Sequence, residues 1–470
     1  MEQFLGFKQS VHLHFVEIRR RVESTERGKY IGVEGGKNVR KNPSMWKTTS
    51  RKEKLRRVLL IIFGAGVIAL AGVSYQYVKN AVPDRINVVV DRQEQVRFGL
   101  PFRALLESES EEVLLNGNSK IPSDQIHLQL NQPFSIYSEQ EGTYRLSLKL
   151  FGIWKLKDIE VDVSDVQYAV PCGLPVGIYM KSDGLMVIGT GRVTAQTGEV
   201  MDPADGILRS GDYIEAINGT PATDKKDMIR AVKEAGNMAL TLSVRREGET
   251  MDVQMTPVQT QEGDYKLGLW IRDDTQGIGT MTYVKGTLFG GLGHGIYDMD
   301  TGTLLKIKGG LLLDPQIYSI KKGKSGTPGE IVGSIEYKEE NILGSIKKNT
   351  EKGIYGTIPK KQQKAYKIGY RQDIKPGKAY ILSNVSGTMK QYEIQINKIV
   401  PSDKDVLKSM EIEVTDKELL KLTNGIIQGM SGSPILQNGK LIGAVTHVFV
   451  NDPMKGYAIL METMLYEMEN

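Results

Sequence analysis

Cysteine is all but missing from this chain: Cys172 is the only one in 470 residues. With no second thiol to meet, it forms no internal disulfide, and the fold must hold by packing alone. No CxxC pair, HExxH run or EF-hand loop occurs, so a metal centre has no ligand set to draw on and no cofactor is called for. Histidine is scarce too, with five copies, which leaves few choices for a general base. Charge of one sign is not in general excess. Lys and Arg outnumber Asp and Glu by 15 to 6 within residues 1–57, and the rest of the chain is slightly acidic despite the overall +5. That distribution argues against nucleic-acid binding.

What is present points to a mainly β, turn-rich globular protein: 51 glycines, 40% hydrophobic residues and 25% charged ones. A chain of this length exceeds a single core and should divide into several units. Charge vanishes between Val58 and Val73, and the uncharged run continues through Val78, just after the basic stretch RKEKLRR. About 20 apolar residues suffice for a helix to cross a bilayer. The positive-inside rule then makes residues 1–57 a basic cytoplasmic segment, 58–78 a transmembrane signal anchor, and places the chain from about Lys79 onward across the membrane. Ala69-Leu70-Ala71 resembles a cleavage site, so a cleaved signal peptide is the alternative, and Met45 offers a second possible start.

Residues 79–170 alternate short apolar runs (INVVV, IHLQL, YRLSLKLFGIW) with turn-rich stretches, the pattern of a β-rich spacer domain. Residues 171–260 resemble a PDZ domain. Gly173-Leu174-Pro175-Val176-Gly177 looks like its carboxylate-binding loop, whose backbone N–H groups hold a peptide terminus. The run Gly206 to Gly219 follows as small helix, strand and Asn218-Gly219 turn, and Asp224 to Ala235 as the helix that walls the groove.

The most informative stretch is Gly429-Met430-Ser431-Gly432-Ser433-Pro434, which looks like the nucleophile loop of chymotrypsin-like serine peptidases and implies a double β-barrel over residues 268–470. Glycines let the chain turn sharply enough to expose the Ser431 hydroxyl and aim the N–H groups of Gly429 and Ser431 at one point, an oxyanion hole. A serine needs an adjacent base. His12 and His14 fall on the cytoplasmic side and His127 in the spacer; His447 lies in the strand after the serine. His294, in GGLGHGIYDMDTG, precedes Ser431 in the order of the chymotrypsin arrangement and is the expected base. For a carboxylate to fix the imidazole, Asp298 and Asp300 read as turn residues and Asp416, in VTDKELL, is the choice, although it lies far nearer the serine than chymotrypsin-like enzymes place theirs. A catalytically silent PDZ scaffold binding membrane proteins is the rival from another class. A quality-control protease of the high-temperature-requirement kind is disfavoured, because there the PDZ follows the protease.

With those residues in hand, residues 277–470 resemble the stage IV sporulation protein B peptidases. GIGTMTYV, GLGHGIYDMDTG, KKGKSGTPGEIVG, GSIKKNTEKGIYG and QGMSGSPILQNGKLIGAVTHVFVNDPMKGYAI occur in that family's order. The resemblance implies a sporulation signalling peptidase located in the forespore intermembrane space. It processes itself and cleaves a membrane-anchored regulator of an intramembrane metalloprotease, so that pro-sigma-K matures. It carries the family's serine to Ser431 and its histidine to His294, and marks Asp416 as important.

Overall fold

A computed structural model describes residues 51–116, 123–360, 364–400 and 404–470. The basic segment expected over residues 1–57, with His12, His14 and Met45, lies outside the described residues through residue 50. The apolar run is helical over Arg51–Ala81, longer than the expected 58–78. Lys, Arg and Glu of RKEKLRR are good helix formers and join its first turns. Pro83 disfavours helical geometry in the residue before it and ends the helix. Leu55–Ala81 is long and apolar enough to cross a membrane, and Ile61, Phe63 and Ile68 expose most of their surface.

The spacer is a two-layer β-domain. Its five-stranded sheet runs Arg85–Val89, Trp154–Ser164, Gly142–Leu150, Arg103–Ser108, Gln125–Gln129, and its three-stranded sheet Glu94–Val96, Phe134–Ser138, Val113–Asn116. Leu106, Leu115, Ile136, Leu146 and Ile159 fill the space between the layers, joined by Val78 and Ala81 from the last turn of the helix. His127 sits on an exposed position of a strand whose burial alternates strictly, as its sequence pattern implies.

Two closed six-stranded barrels follow. In the first, Tyr168–Thr190 pairs with Leu269–Lys285, then Leu288–Gly291, Gly353–Thr357, Ile342–Thr350 and Ile307–Leu313, which returns to the start. The second closes through Lys440–Phe449, Pro434–Gln437, Gly377–Ser383, Lys390–Ile399, Met410–Val414 and Asp452–Leu460. Closure leaves few unpaired edges. Val176, Ile178, Phe289, Leu312 and Ile354 fill the first interior, and Ile381, Tyr392, Ile394, Ile412, Ile435 and Val445 the second. This is the chymotrypsin-like double barrel.

The PDZ module is inserted between the first two strands of the first barrel. Tyr168–Thr190 runs on from barrel pairings into pairing with Tyr213–Ile217, and Leu269–Lys285 carries the chain back. Between them, Tyr213–Ile217 and Leu240–Arg246 pair, and Asp224 caps the helix Lys225–Ala235 in a capping box with Asp227. Asn218 and Gly219 both take positive φ between Ile217 and Thr220, the expected two-residue hairpin turn.

One expectation is corrected here. Gly173-Leu174-Pro175-Val176-Gly177 is not a PDZ loop. Leu174 to Gly177 pair with Met281 to Ile278 inside the first barrel, and Leu174 and Pro175 line a cavity of about 520 Å³ together with Thr280, Met281 and Ile331. The boundary at residue 171 therefore falls within a barrel strand. One extended run passes from one domain into the next, and its change of partner falls at the polar Lys181-Ser182-Asp183-Gly184, ten residues after the expected boundary.

Candidate active site

The chain reaches His294 through a sharp turn. Leu292 (φ 67°) and Gly293 (φ 70°) both take left-handed conformations directly after the strand Leu288–Gly291. A buried leucine held there is strained by roughly 1–3 kcal/mol, and the Leu292 N–H is tied to the Thr280 carbonyl at 3.1 Å. The turn is held on its other side by Asn349, whose side chain accepts from Ile296 N–H and donates to the carbonyls of Ile296 and Leu305, each at 2.9 Å. Gly295 N–H donates to the Glu351 carbonyl at 3.0 Å.

His294 is half-buried, and its Nδ1 lies 2.8 Å from the Gly295 carbonyl oxygen. A carbonyl can only accept, so Nδ1 carries the proton and neutral His294 presents a bare Nε2. Burial pushes this imidazole below its ordinary pKa, and the Gly295 carbonyl pulls it partly back. The His447 ring stacks beside it, centroids 5.0 Å apart. Burial, then the neighbouring His294 and Lys408, push His447 down to about 4.

Ser431 sits in the loop between the helix Lys417–Thr423 and the strand Pro434–Gln437. Gly429 (φ 98°) and Gly432 (φ 92°) supply the backbone conformations that L side chains avoid. A Cβ on Gly432 would stand 2.3 Å from the Thr280 carbonyl oxygen. Met430, fully buried, anchors the loop in the second barrel, with its N–H on the Ile427 carbonyl. Among the described residues, the N–H groups of Gly429 and Ser431 have no acceptor, the condition for an oxyanion hole. Thr280 spans the loop: its N–H donates to the Ser431 carbonyl at 3.1 Å and its hydroxyl to the Gly429 carbonyl at 2.6 Å. From the other side, the hairpin of Pro315–Lys321 and Glu330–Ile335 pins Gln428, which donates to Gly329 and accepts from Ile331.

Ser431 and His294 thus both meet the end of the strand Lys440–Phe449, Ser431 at Thr446 and His294 at His447, and among the described residues no hydrogen bond joins Ser431 to His294. The Ser431 hydroxyl instead donates to the Thr446 carbonyl at 2.8 Å.

Asp416 is not brought to the histidine. It is the N-cap of the helix Lys417–Thr423, accepting from the N–H groups of Glu418 and Leu419 at 2.9 and 3.0 Å, and from Glu393 N–H at 3.3 Å. The orphan N–H groups of a helix start draw a carboxylate, which accounts for its position without catalysis. Asp298 and Asp300 pair with Arg272 and shape the turn, as their spacing suggests. Among the described residues no carboxylate bonds to His294; the Gly295 carbonyl holds the place.

Thr280, Asn349 and Gly295 escape a sequence reading. Only the family resemblance of GIGTMTYV and GSIKKNTEKGIYG hints at the first two, and a carbonyl acceptor leaves no residue signature at all.

The profile of the SpoIVB peptidase S55 family matches residues 263–465. A 63-residue stretch is 32% identical to the Regulator of sigma-W protease RasP of Bacillus subtilis, covering 13% of this chain and 15% of that protein's length. Among solved structures, the PDZ domain of an SdrC-like protein from Listeria monocytogenes is 15% identical over 19% of this chain and 87% of its own, with a TM-score of 0.16. The HtrA-type protease AlgW with a decapeptide is 11% identical over 64% of each chain, with a TM-score of 0.27. The chain is a serine peptidase, and its residues 263–465 match the profile of the SpoIVB peptidase S55 family.

Proposed function

We propose that this serine peptidase is a membrane-anchored endopeptidase working through Ser431 and His294, with the Gly295 carbonyl in the role that a carboxylate fills in a triad. The observation that carries the proposal is the hydrogen bond from Nδ1 to Gly295, which leaves Nε2 free to take a proton. The Ser431 hydroxyl turns from the Thr446 carbonyl to Nε2 and gives up its proton as Oγ attacks the scissile carbonyl. The carbonyl oxygen becomes an oxyanion between the N–H groups of Gly429 and Ser431. The tetrahedral centre collapses, the C–N bond breaks, and His294 returns the proton to the leaving amine. Water then repeats the sequence on the acyl-enzyme and restores the serine.

The helix Arg51–Ala81 tethers the chain with its N-terminus cytoplasmic and the catalytic barrels across the membrane. The substrates are the chain itself and a membrane-anchored regulator of an intramembrane metalloprotease, in the sporulation pathway that matures pro-sigma-K within the forespore intermembrane space. The PDZ module captures a peptide terminus. Expression of the full chain in a heterologous host, with Ser431→Ala and His294→Ala beside it, tests the reading: wild type alone should be trimmed, at sites read by mass spectrometry. Identical trimming of all three proteins, or none of any, contradicts it.

A further inference from the structure

The turn that joins Gly142–Leu150 to Trp154–Ser164 carries the most exposed apolar cluster of the spacer: Phe151 is 60% exposed, Ile153 80% and Trp154 72%. The fold does not require such residues there. Phe151 and Gly152 both take positive φ, and tight turns of this kind favour Asn-Gly or Asp-Gly. Among the described residues outside the His294 loop, the chain itself uses Asn218-Gly219, Glu247-Gly248, Asn424-Gly425 and Asn438-Gly439 where two successive φ values are positive. A phenylalanine at φ 54° is strained and keeps its ring in water, so neither turn formation nor core packing accounts for it.

The position of the turn names its partner. Three residues inside Trp154, about 10 Å along an extended strand, Lys157 donates to the Val82 carbonyl and pairs with Asp84, where the apolar helix ends. The strand Arg85–Val89 runs parallel to Trp154–Ser164, from Arg85 beside Glu160 to Val89 beside Ser164. The turn therefore lies at the helix-entry end of the sheet, opposite to the direction in which the domain continues. Beside it, Phe151 N–H bonds the Arg103 carbonyl, and the exposed Arg103 side chain has no ion-pair partner among the described residues. Tryptophan and phenylalanine beside a free cation suit the headgroup zone of an anionic bilayer.

We infer that the Phe151–Trp154 turn inserts into the interface of the bilayer that the helix Arg51–Ala81 spans, a second contact that fixes the orientation of the spacer on the membrane. The inference rests on the anchoring role proposed for the helix. Full chain in nanodiscs of phosphatidylcholine and phosphatidylglycerol, with Cys172→Ser removing the native thiol, is spin-labelled through Ile153→Cys, and separately through Val67→Cys in the helix and Thr143→Cys at the far end of the hairpin. Accessibility to oxygen and to a nickel chelate is then compared. The expected result is that the labels at 153 and 67 favour oxygen while the label at 143 favours the chelate. A label at 153 as chelate-accessible as that at 143, with 67 shielded, overturns the inference and leaves the turn to a protein partner. If the label at 67 is also chelate-accessible, the anchoring role falls and the inference falls with it.

Discussion

Replacing Asp416 separates a capping role from a catalytic one. Its carboxylate accepts three backbone N–H bonds, two from the first turn of the helix Lys417–Thr423 and one from Glu393. Asp416→Ala leaves those donors unpaired, and the usual cost of losing a cap is about 0.5–2 kcal/mol. With three bonds lost, the upper end applies, and for a domain of this size that lowers Tm by roughly 4–8 °C. Asp416→Asn keeps one oxygen for Glu418 and Leu419 but turns an NH₂ toward the Glu393 N–H, and should cost about 1 kcal/mol. If Asp416 oriented the histidine, the asparagine variant would lose about 10⁴ in kcat. The structure predicts a kcat for Asp416→Asn within a few-fold of wild type, measured well below its Tm on a synthetic peptide that the wild-type chain cleaves. A variant that melts like wild type yet loses a thousandfold or more in kcat refutes the assignment of the Gly295 carbonyl as the orienting group.

Thr280→Val keeps the shape of the side chain and removes the hydroxyl that holds the Gly429 carbonyl. It should lower kcat by about 10–10²-fold, short of the loss of a direct oxyanion donor, with KM little changed; steady-state kinetics checks this. Asn349→Leu strips three hydrogen bonds from the turn that presents His294, and should cost about 2–4 kcal/mol in denaturant unfolding and most of the activity. The proposed mechanism requires neutral His294, whose pKa burial holds below 6.5, so the acidic limb of the kcat/KM profile should lie below pH 6.5. His447 has a folded pKa of about 4 against an unfolded value near 6.5. The unfolded chain therefore binds the extra proton first, and stability should fall as pH drops through that window, less steeply in His447→Asn.

Features that depend on neighbouring residues were legible in the sequence. The uncharged run gave the helix, Asn218-Gly219 a two-residue turn and Asp224 a cap, and the glycine-flanked Ser431 and His294 are the two halves of the proposed site. Features that depend on distant partners were not. The stretch from Tyr168 to Thr190 is one strand, mostly apolar apart from Lys181 to Gly184, yet it serves the second barrel's sheet at Ala169, the first barrel at Val176 and the PDZ module at Leu185. Asp416 suits either a cap or a triad by residue type, and only the positions of Glu418, Leu419 and Glu393 decide between them. The hold on the histidine comes from a main-chain oxygen, which every residue possesses.

The most direct test of the account is the rate at which a fluorophosphonate acylates Ser431, mapped by mass spectrometry on the full chain and on His294→Ala. Modification confined to Ser431, and slowed at least about 10²-fold by the loss of the base, is the predicted result. Labelling at another serine, or at Ser431 with no dependence on His294, would contradict it.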